Sequence, residues 1–343
     1  MRWFVLGVPA VRGRNPKANS MSILKPLKLY LDTNHLINIA KVRKGTSIPD
    51  EVRPAYLAID ECIRNRHVGV IFEPAMTLEW VDGNATLESA YEIADVIESA
   101  KLQYEIEIDT FVYLHEVLCE LKRLDSSLCL PEYEIMHVRI ADKSVRRALG
   151  VLRSSVPEFF DEGELLPGSE SLPIDVPFSP VRWHVERSWK FKHERNAAFR
   201  ERVDGHAAAY EQDLDSFRER NKKPLQTNDM VDWMKRFLKV DRILRKLNAD
   251  VDVDHLLRSI KIERCPAVDL FTKAHEKRIR AGNTVKDNDS DDWSSVAVVP
   301  YADVVLTERN LRAFLIQANP NLDSKVTHDP RQAMAVLVKW FEN

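Results

Sequence analysis

Five residues, LKLYL at 27–31, end directly on Asp32-Thr33-Asn34, and a helical pattern follows from residue 35 towards 43. A short apolar run of this kind favours an extended strand, and Asp-Thr-Asn is chemistry that starts helices. The same order recurs at VGVIF, residues 68–72, which lead past Pro74 into the helical AMTLEWV. Strand, helix, strand, helix in succession predicts a parallel sheet covered by helices, because parallel neighbours need a crossover connection between them. The fold class expected is therefore α/β.

Composition narrows the alternatives. The chain has 343 residues, 44% of them hydrophobic, which is enough for one large domain or two ordinary ones with a real core. Glycine is sparse, no apolar run approaches the roughly 18 residues of a membrane span, and no fixed-period repeat is visible. Collagen-like, disordered, transmembrane and solenoid architectures are thereby excluded. A formal net charge of -3 removes overall basicity as an argument for nucleic acid, although a local basic face remains compatible with it. Cys62, Cys119, Cys129 and Cys265 are far apart and form no C-x-x-C pair, so reduced, intracellular thiols are expected. Residues 1–20 carry four basic groups and no acid around an apolar patch too short for a signal peptide; they read as an upstream start or a loose tail.

Further along, helices are predicted over 85–102, 110–124 and 131–149. Residues 156–180 hold five prolines and two glycines, a density that reads as a long surface loop or lid. A charged helical stretch is predicted over 185–222, and Thr227-Asn228-Asp229 caps a predicted helix running to 247. A polar break, KDNDSDD at 286–292, precedes a small-residue helix at 293–299 and a strand at 303–306. The end, 325–341, fits a last strand and an amphipathic helix.

The informative pattern is where acids fall relative to strand ends. In parallel α/β sheets the reactive edge lies at the carboxyl ends of the strands. Asp32 stands at that edge, Glu79 follows the second strand by about one helical turn, Asp291 opens the helix before the last central strand, and Glu308 follows that strand. Carboxylates gathered without cationic partners raise one another's pKa, and a hard cation such as Mg2+ or Mn2+ relieves them. An all-oxygen cation site suits hydrolysis of a phosphodiester backbone.

At these residues the chain resembles the PIN and PIN-like domain nucleases, in particular a bacterial PIN-like subgroup. The resemblance is carried by YLDTNHLI at 30–37, by PAMTLEW with Glu79, and by DNDSDDWSSVAVVPYADVVLTERNL at 287–311. In the last block an acid nine residues before Pro-Tyr selects Asp291. The resemblance implies a metal-dependent endoribonuclease in which Asp32, Glu79, Asp291 and Glu308 hold one or two cations. Asp289 is implied as a further ligand, with Asn34, Thr307 and Asp292 as polar auxiliaries. It covers about residues 27–103 and 287–343, so 109–286 is expected to be a mostly helical insertion or second domain between a first part, 21–108, and a second, 287–343. The subgroup often has a histidine three residues after the third acid, where this chain has Ser294. RNA is the implied substrate and an antitoxin-like inhibitory protein the implied partner, in a toxin, defence or RNA-processing role. A structure-selective DNA nuclease and a catalytically weak binding module are the alternative readings.

Each residue also has a plainer reading. Asp32 makes a good helix cap, and Glu73 and Asp82 rival Glu79. Asp303 starts its strand some 16 Å from Glu308 at about 3.3 Å per residue, which gives it a structural role. Lys235, Arg236, Lys239 and Arg242 would line the outer face of one amphipathic helix and meet phosphates there, or be a solvated face. Trp183, His184, Trp189, Phe191 and His193 invite base stacking, with core packing the plainer expectation.

Overall fold

The computed structural model describes residues 26–65, 68–74, 76–84, 86–107, 109–138, 145–146, 151, 175–176, 181–194, 227–248, 250–281 and 295–342. Among them a six-stranded mixed sheet runs in the order β4-β3-β2-β1-β7-β8. Its strands are β1 (Leu27–Leu31), β2 (Val68–Phe72), β3 (Gln103–Ile106), β4 (Met136–Val138), β7 (Val304–Leu306) and β8 (Val326–Thr327). All neighbours are parallel except β4, which pairs antiparallel with β3 at one edge. A separate two-residue pair joins β5 (Val145–Arg146) to β6 (Asp175–Val176). The expectation of an α/β protein with a parallel sheet is met except at the β4 edge, where the pairing is antiparallel.

β1 and β2 are buried almost throughout, as continuous apolar strands with cover on both faces should be. Leu29 lies opposite Val70 on one side and Val304 on the other, at the centre of the core. Gly69 belongs in β2 because a Cβ there would run into the ring of Tyr104 on β3. The covering helices α1 (Thr33–Arg43), α2 (Arg53–Arg64), α3 (Met76–Gly83), α4 (Leu87–Glu98) and α5 (Asp109–Leu124) follow their strands in order. Further helices span Val181–Glu194, Pro266–Arg280, Arg309–Ala318 and Pro330–Glu342. Val181–Glu194 packs on α3 and α4, and Pro266–Arg280 on α5.

Four expectations change. Residues 131–149 are not one helix: 131–137 alternate between buried and more exposed positions, the period of a strand, and end in β4. The predicted helix over 85–102 stops at Glu98, and β3 follows. The predicted helix over 227–247 is two, Thr227–Arg236 and Val240–Leu247, broken where Lys239 adopts a left-handed φ of 51°. The helix expected at 293–299 is a pair of single 3-10 turns, Ser295–Ala297 and Val299–Tyr301, since Pro300 removes a backbone donor. The proline-rich 156–180 lie outside the described residues apart from β6, as do 195–222.

One buried carboxylate ties the late segments together. Glu116 on α5 accepts from the backbone N–H groups of Ala267 and Val268, at 2.9 and 3.1 Å, and from the Tyr301 hydroxyl. It thereby caps the helix Pro266–Arg280, whose own first turn lacks a Ser, Thr or Asn cap. The tyrosine of the Pro-Tyr motif thus has a structural task.

Candidate active site

β1 and β7 are adjacent and parallel, so Asp32 and Thr307-Glu308 emerge side by side at the carboxyl edge. The Asp32 N–H donates to the Leu306 carbonyl at 2.9 Å, which carries the pairing one residue past the strand. Asp32 is the N-cap of α1: its Oδ1 accepts from the Thr33 N–H at 2.6 Å. Its Oδ2 accepts from the Thr307 hydroxyl at 3.2 Å. Capping and a place in an acidic site are therefore compatible roles of the same carboxylate.

Two short side chains on α1 bring the other acids in. The Thr33 hydroxyl donates to Glu79 Oε2 and accepts from the Trp80 indole N–H at 3.1 Å, fixing the start of α1 against α3. Asn34 donates its amide N–H to Glu308 Oε1. Glu308 holds the N-cap position of the helix Arg309–Ala318 yet makes no capping hydrogen bond with its side chain. Its carboxylate is committed to Asn34 instead. Glu79, Asp32 and Glu308 are thus linked through Thr33, Thr307 and Asn34.

Electrostatics mark Asp32 out. Only 7% of it is exposed, and burial, then the Glu308 charge, push its pKa up to about 6 against the pull of hydrogen bonds from Thr33 and Thr307. Beside it His35 is buried, and desolvation lowers its pKa to about 4, so at neutral pH it is an uncharged imidazole. Its Nε2 lies 3.3 Å from the Thr307 carbonyl, which can only accept, so that nitrogen carries the proton. Nδ1 then accepts from the Tyr56 hydroxyl at 2.7 Å, and Asn38 donates to the same tyrosine oxygen at 3.1 Å.

The sequence reading passed over three residues here. Tyr30 is buried two positions before Asp32, on the same side of β1, and its pKa is raised well above the ordinary value by burial and by Glu73, Asp32 and Glu79. Glu73, considered only as a rival, is wholly buried and follows β2 directly, as Asp32 follows β1. Thr33 links two acids. Strand alternation and the repeated acid after a strand were signals for the first two; nothing in the sequence pointed to the Thr33 link.

Not every expected residue joins. Asp82 is exposed at the far end of α3, 3.8 Å from Lys192, so it is no competitor for Glu79. Asp303 lies at the opposite end of β7, where its carboxylate accepts from the Lys28 N–H at 2.8 Å, a structural role. Asp289, Asp291 and Asp292 lie outside the described residues, which resume at Ser295. Among the described residues no three acidic, histidine or cysteine side chains close into a group able to hold a metal ion. Lys235 is engaged in an ion pair with Asp254 at 2.5 Å, whereas Arg236 and Arg242 are exposed and Lys239 sits at the break between the two helices.

The donors present are oxygens of carboxylates, hydroxyls and an amide, the chemistry preferred by Mg2+ and Mn2+. Asp32 is buried beside another carboxylate with its pKa displaced upward, which a divalent cation would reverse. Among the described residues no helix is long and apolar enough to cross a membrane. Comparison with protein-family models, with curated proteins and with solved structures gives no match for this chain.

Proposed function

We propose that this chain is a divalent-metal-dependent endoribonuclease on a PIN-like sheet, with residues 109–286 as a mostly helical insertion that shapes access to the site. The observation that carries this reading is the buried Asp32 carboxylate, its pKa raised to about 6, linked by Thr33 to Glu79 and flanked by Glu308. Asp32, Glu79, Glu308 and an acid of the 287–292 segment, Asp291 first with Asp289 and Asp292 as neighbours, would hold Mg2+ or Mn2+. When bound, such a cation supplies charge stabilisation for the phosphodiester oxygens and lowers the pKa of a water. The protein's own part is positional. Thr33 and Asn34 set the carboxylates of Glu79 and Glu308, Thr307 holds Asp32, and His35 braces the Thr307 backbone. At neutral pH Asp32 is mostly ionised and ready to bind a cation.

RNA as substrate, a cytoplasmic setting and an antitoxin-like partner accompany this reading through the resemblance of the motifs. The test is cleavage of single-stranded RNA and matched DNA with Mn2+, Mg2+ or EDTA, comparing the wild type with Asp32→Asn and Asp291→Asn. Metal-dependent RNA cleavage lost in both variants supports the proposal. Cleavage confined to DNA moves it to a structure-selective DNA nuclease. No cleavage, and no thermal stabilisation by either metal, leaves a PIN-like binding module.

A further inference from the structure

We propose that His115 and Cys119 on α5 form a binding site for a soft divalent cation of the Zn2+ class, separate from the acids at the carboxyl edge. The two residues are four positions apart on one helix, a spacing that puts their side chains on the same face. Cys119 Sγ and His115 Nε2 are 3.4 Å apart. Zn–S and Zn–N bonds of about 2.3 and about 2.0 Å, meeting at a tetrahedral angle, would set the two donors about 3.5 Å apart. The pair therefore already has the bite of two tetrahedral ligands. A thiol donating to the imidazole nitrogen fits the same spacing, and that hydrogen bond is the metal-free form of the pair.

The imidazole is held as a ligand needs to be. Tyr133, in the segment leading into β4, has its ring 5.3 Å from that of His115, and its hydroxyl donates to the Phe111 carbonyl at 2.9 Å. The Tyr133 backbone also hydrogen-bonds the imidazole, but desolvation outweighs that contact and lowers the His115 pKa. The ring is thus neutral near pH 7. With Nε2 turned to Cys119, the proton sits on Nδ1 against the Tyr133 carbonyl, which leaves the Nε2 lone pair for a cation.

Charge around the thiol favours a cation. Partial burial, then the Glu116 and Glu132 carboxylates, raise the Cys119 pKa, so the free thiol keeps its proton at neutral pH. A bound cation displaces that proton, and the same two carboxylates then stabilise the cation. Glu116 is committed to the N–H groups of Ala267 and Val268. Glu132 is exposed, next to Tyr133, and its carboxylate is the one able to turn in as a third ligand, with water in the fourth position. Cys119 is exposed as well, so a cation can reach the pair from solvent. Sulfur and nitrogen donors set this site apart from the all-oxygen chemistry around Asp32. Closing it would clip the approach to β4 onto α5.

The experiment is titration of the reduced full chain with Co2+, Cd2+ and Zn2+. Sulfur-to-metal charge-transfer absorption reports the first two, and the melting temperature reports Zn2+. The variants are Cys119→Ser, His115→Gln, Glu132→Gln and, as the control for another exposed thiol, Cys129→Ser. The expected result is a saturable thiolate band in the wild type, unchanged in Cys129→Ser and absent in Cys119→Ser. Affinity should fall at least about tenfold in His115→Gln and by less in Glu132→Gln. Zn2+ should raise the melting temperature of the wild type and not that of Cys119→Ser. A band that survives Cys119→Ser, or no band in the wild type, overturns the proposal. If His115→Gln melts early without metal, the comparison of Cys119→Ser with Cys129→Ser decides.

Discussion

The hydroxyl of Thr307 donates a hydrogen bond of 3.2 Å to the carboxylate of Asp32, a residue 275 positions earlier in the chain. Parallel pairing of β1 with β7 makes that contact possible, and it brings the Glu308 charge to bear on Asp32.

The raised pKa of Asp32 has a sign that can be tested. An acid that titrates near 3.8 in the unfolded chain and about 6 in the folded one holds its proton longer when folded. Stability is therefore greatest below pH 4 as far as this group is concerned, and is lost as the pH rises through about 6. Asp32→Asn removes the penalty and keeps the cap. It should raise the stability at pH 7.5 by up to about 3 kcal/mol, several degrees in melting temperature, with the gain vanishing near pH 4. Melting curves of both proteins across this range measure it.

Thr33 is expected to matter through its hydroxyl alone. Thr33→Val leaves the buried Trp80 indole N–H without its acceptor, a cost of about 1–3 kcal/mol, and releases Glu79. Thr33→Ser keeps both contacts. Chemical denaturation should show the loss in the first and not the second, and any Mn2+-dependent cleavage should fall at least about tenfold with the same pattern.

Removing the buried acceptor at Glu116 strands the Ala267 and Val268 N–H groups. Glu116→Ala should cost about 3 kcal/mol, and Tyr301→Phe about 1 kcal/mol because one donor is lost while the backbone donors remain. Urea unfolding separates the two. Equal effects would mean that the tyrosine, and not the helix cap, is the main support.

The basic stretch need not act as one face. Lys235 is tied to Asp254, whose pKa is held low by that partner, whereas Arg236 is exposed. Arg236→Ala should reduce the slope of log affinity for RNA against log salt by about one, and Lys235→Ala by less. Equal changes would contradict this division.

Much of the frame was legible because its signals are local. LKLYL and VGVIF are buried on both faces and announce central strands, and Asp32 and Glu308 follow strands that the apolar runs already mark. Edge strands gave less. The residues leading into β4 have a period-two pattern over Tyr133, Ile135 and His137, but over the longer window the apolar spacing also fits a helix. The break at Lys239 has no glycine to mark it, and the left-handed turn there follows from packing both Met234 and Val240 into the core. The links from Thr33 to Glu79 and from Asn34 to Glu308 span 46 and 274 positions, so no local pattern encodes them.

On the proposed function, Asp32 and the acids held by Thr33 and Asn34 belong to one divalent-cation site. Equilibrium Mn2+ binding, read from the electron paramagnetic resonance signal of the free ion, tests it without requiring a substrate. The wild type is predicted to bind Mn2+ in the micromolar to low millimolar range, with binding lost in Asp32→Asn and weakened in Thr33→Val but not in Thr33→Ser. Binding that is as tight in Asp32→Asn as in the wild type, or no binding by the wild type, would contradict it.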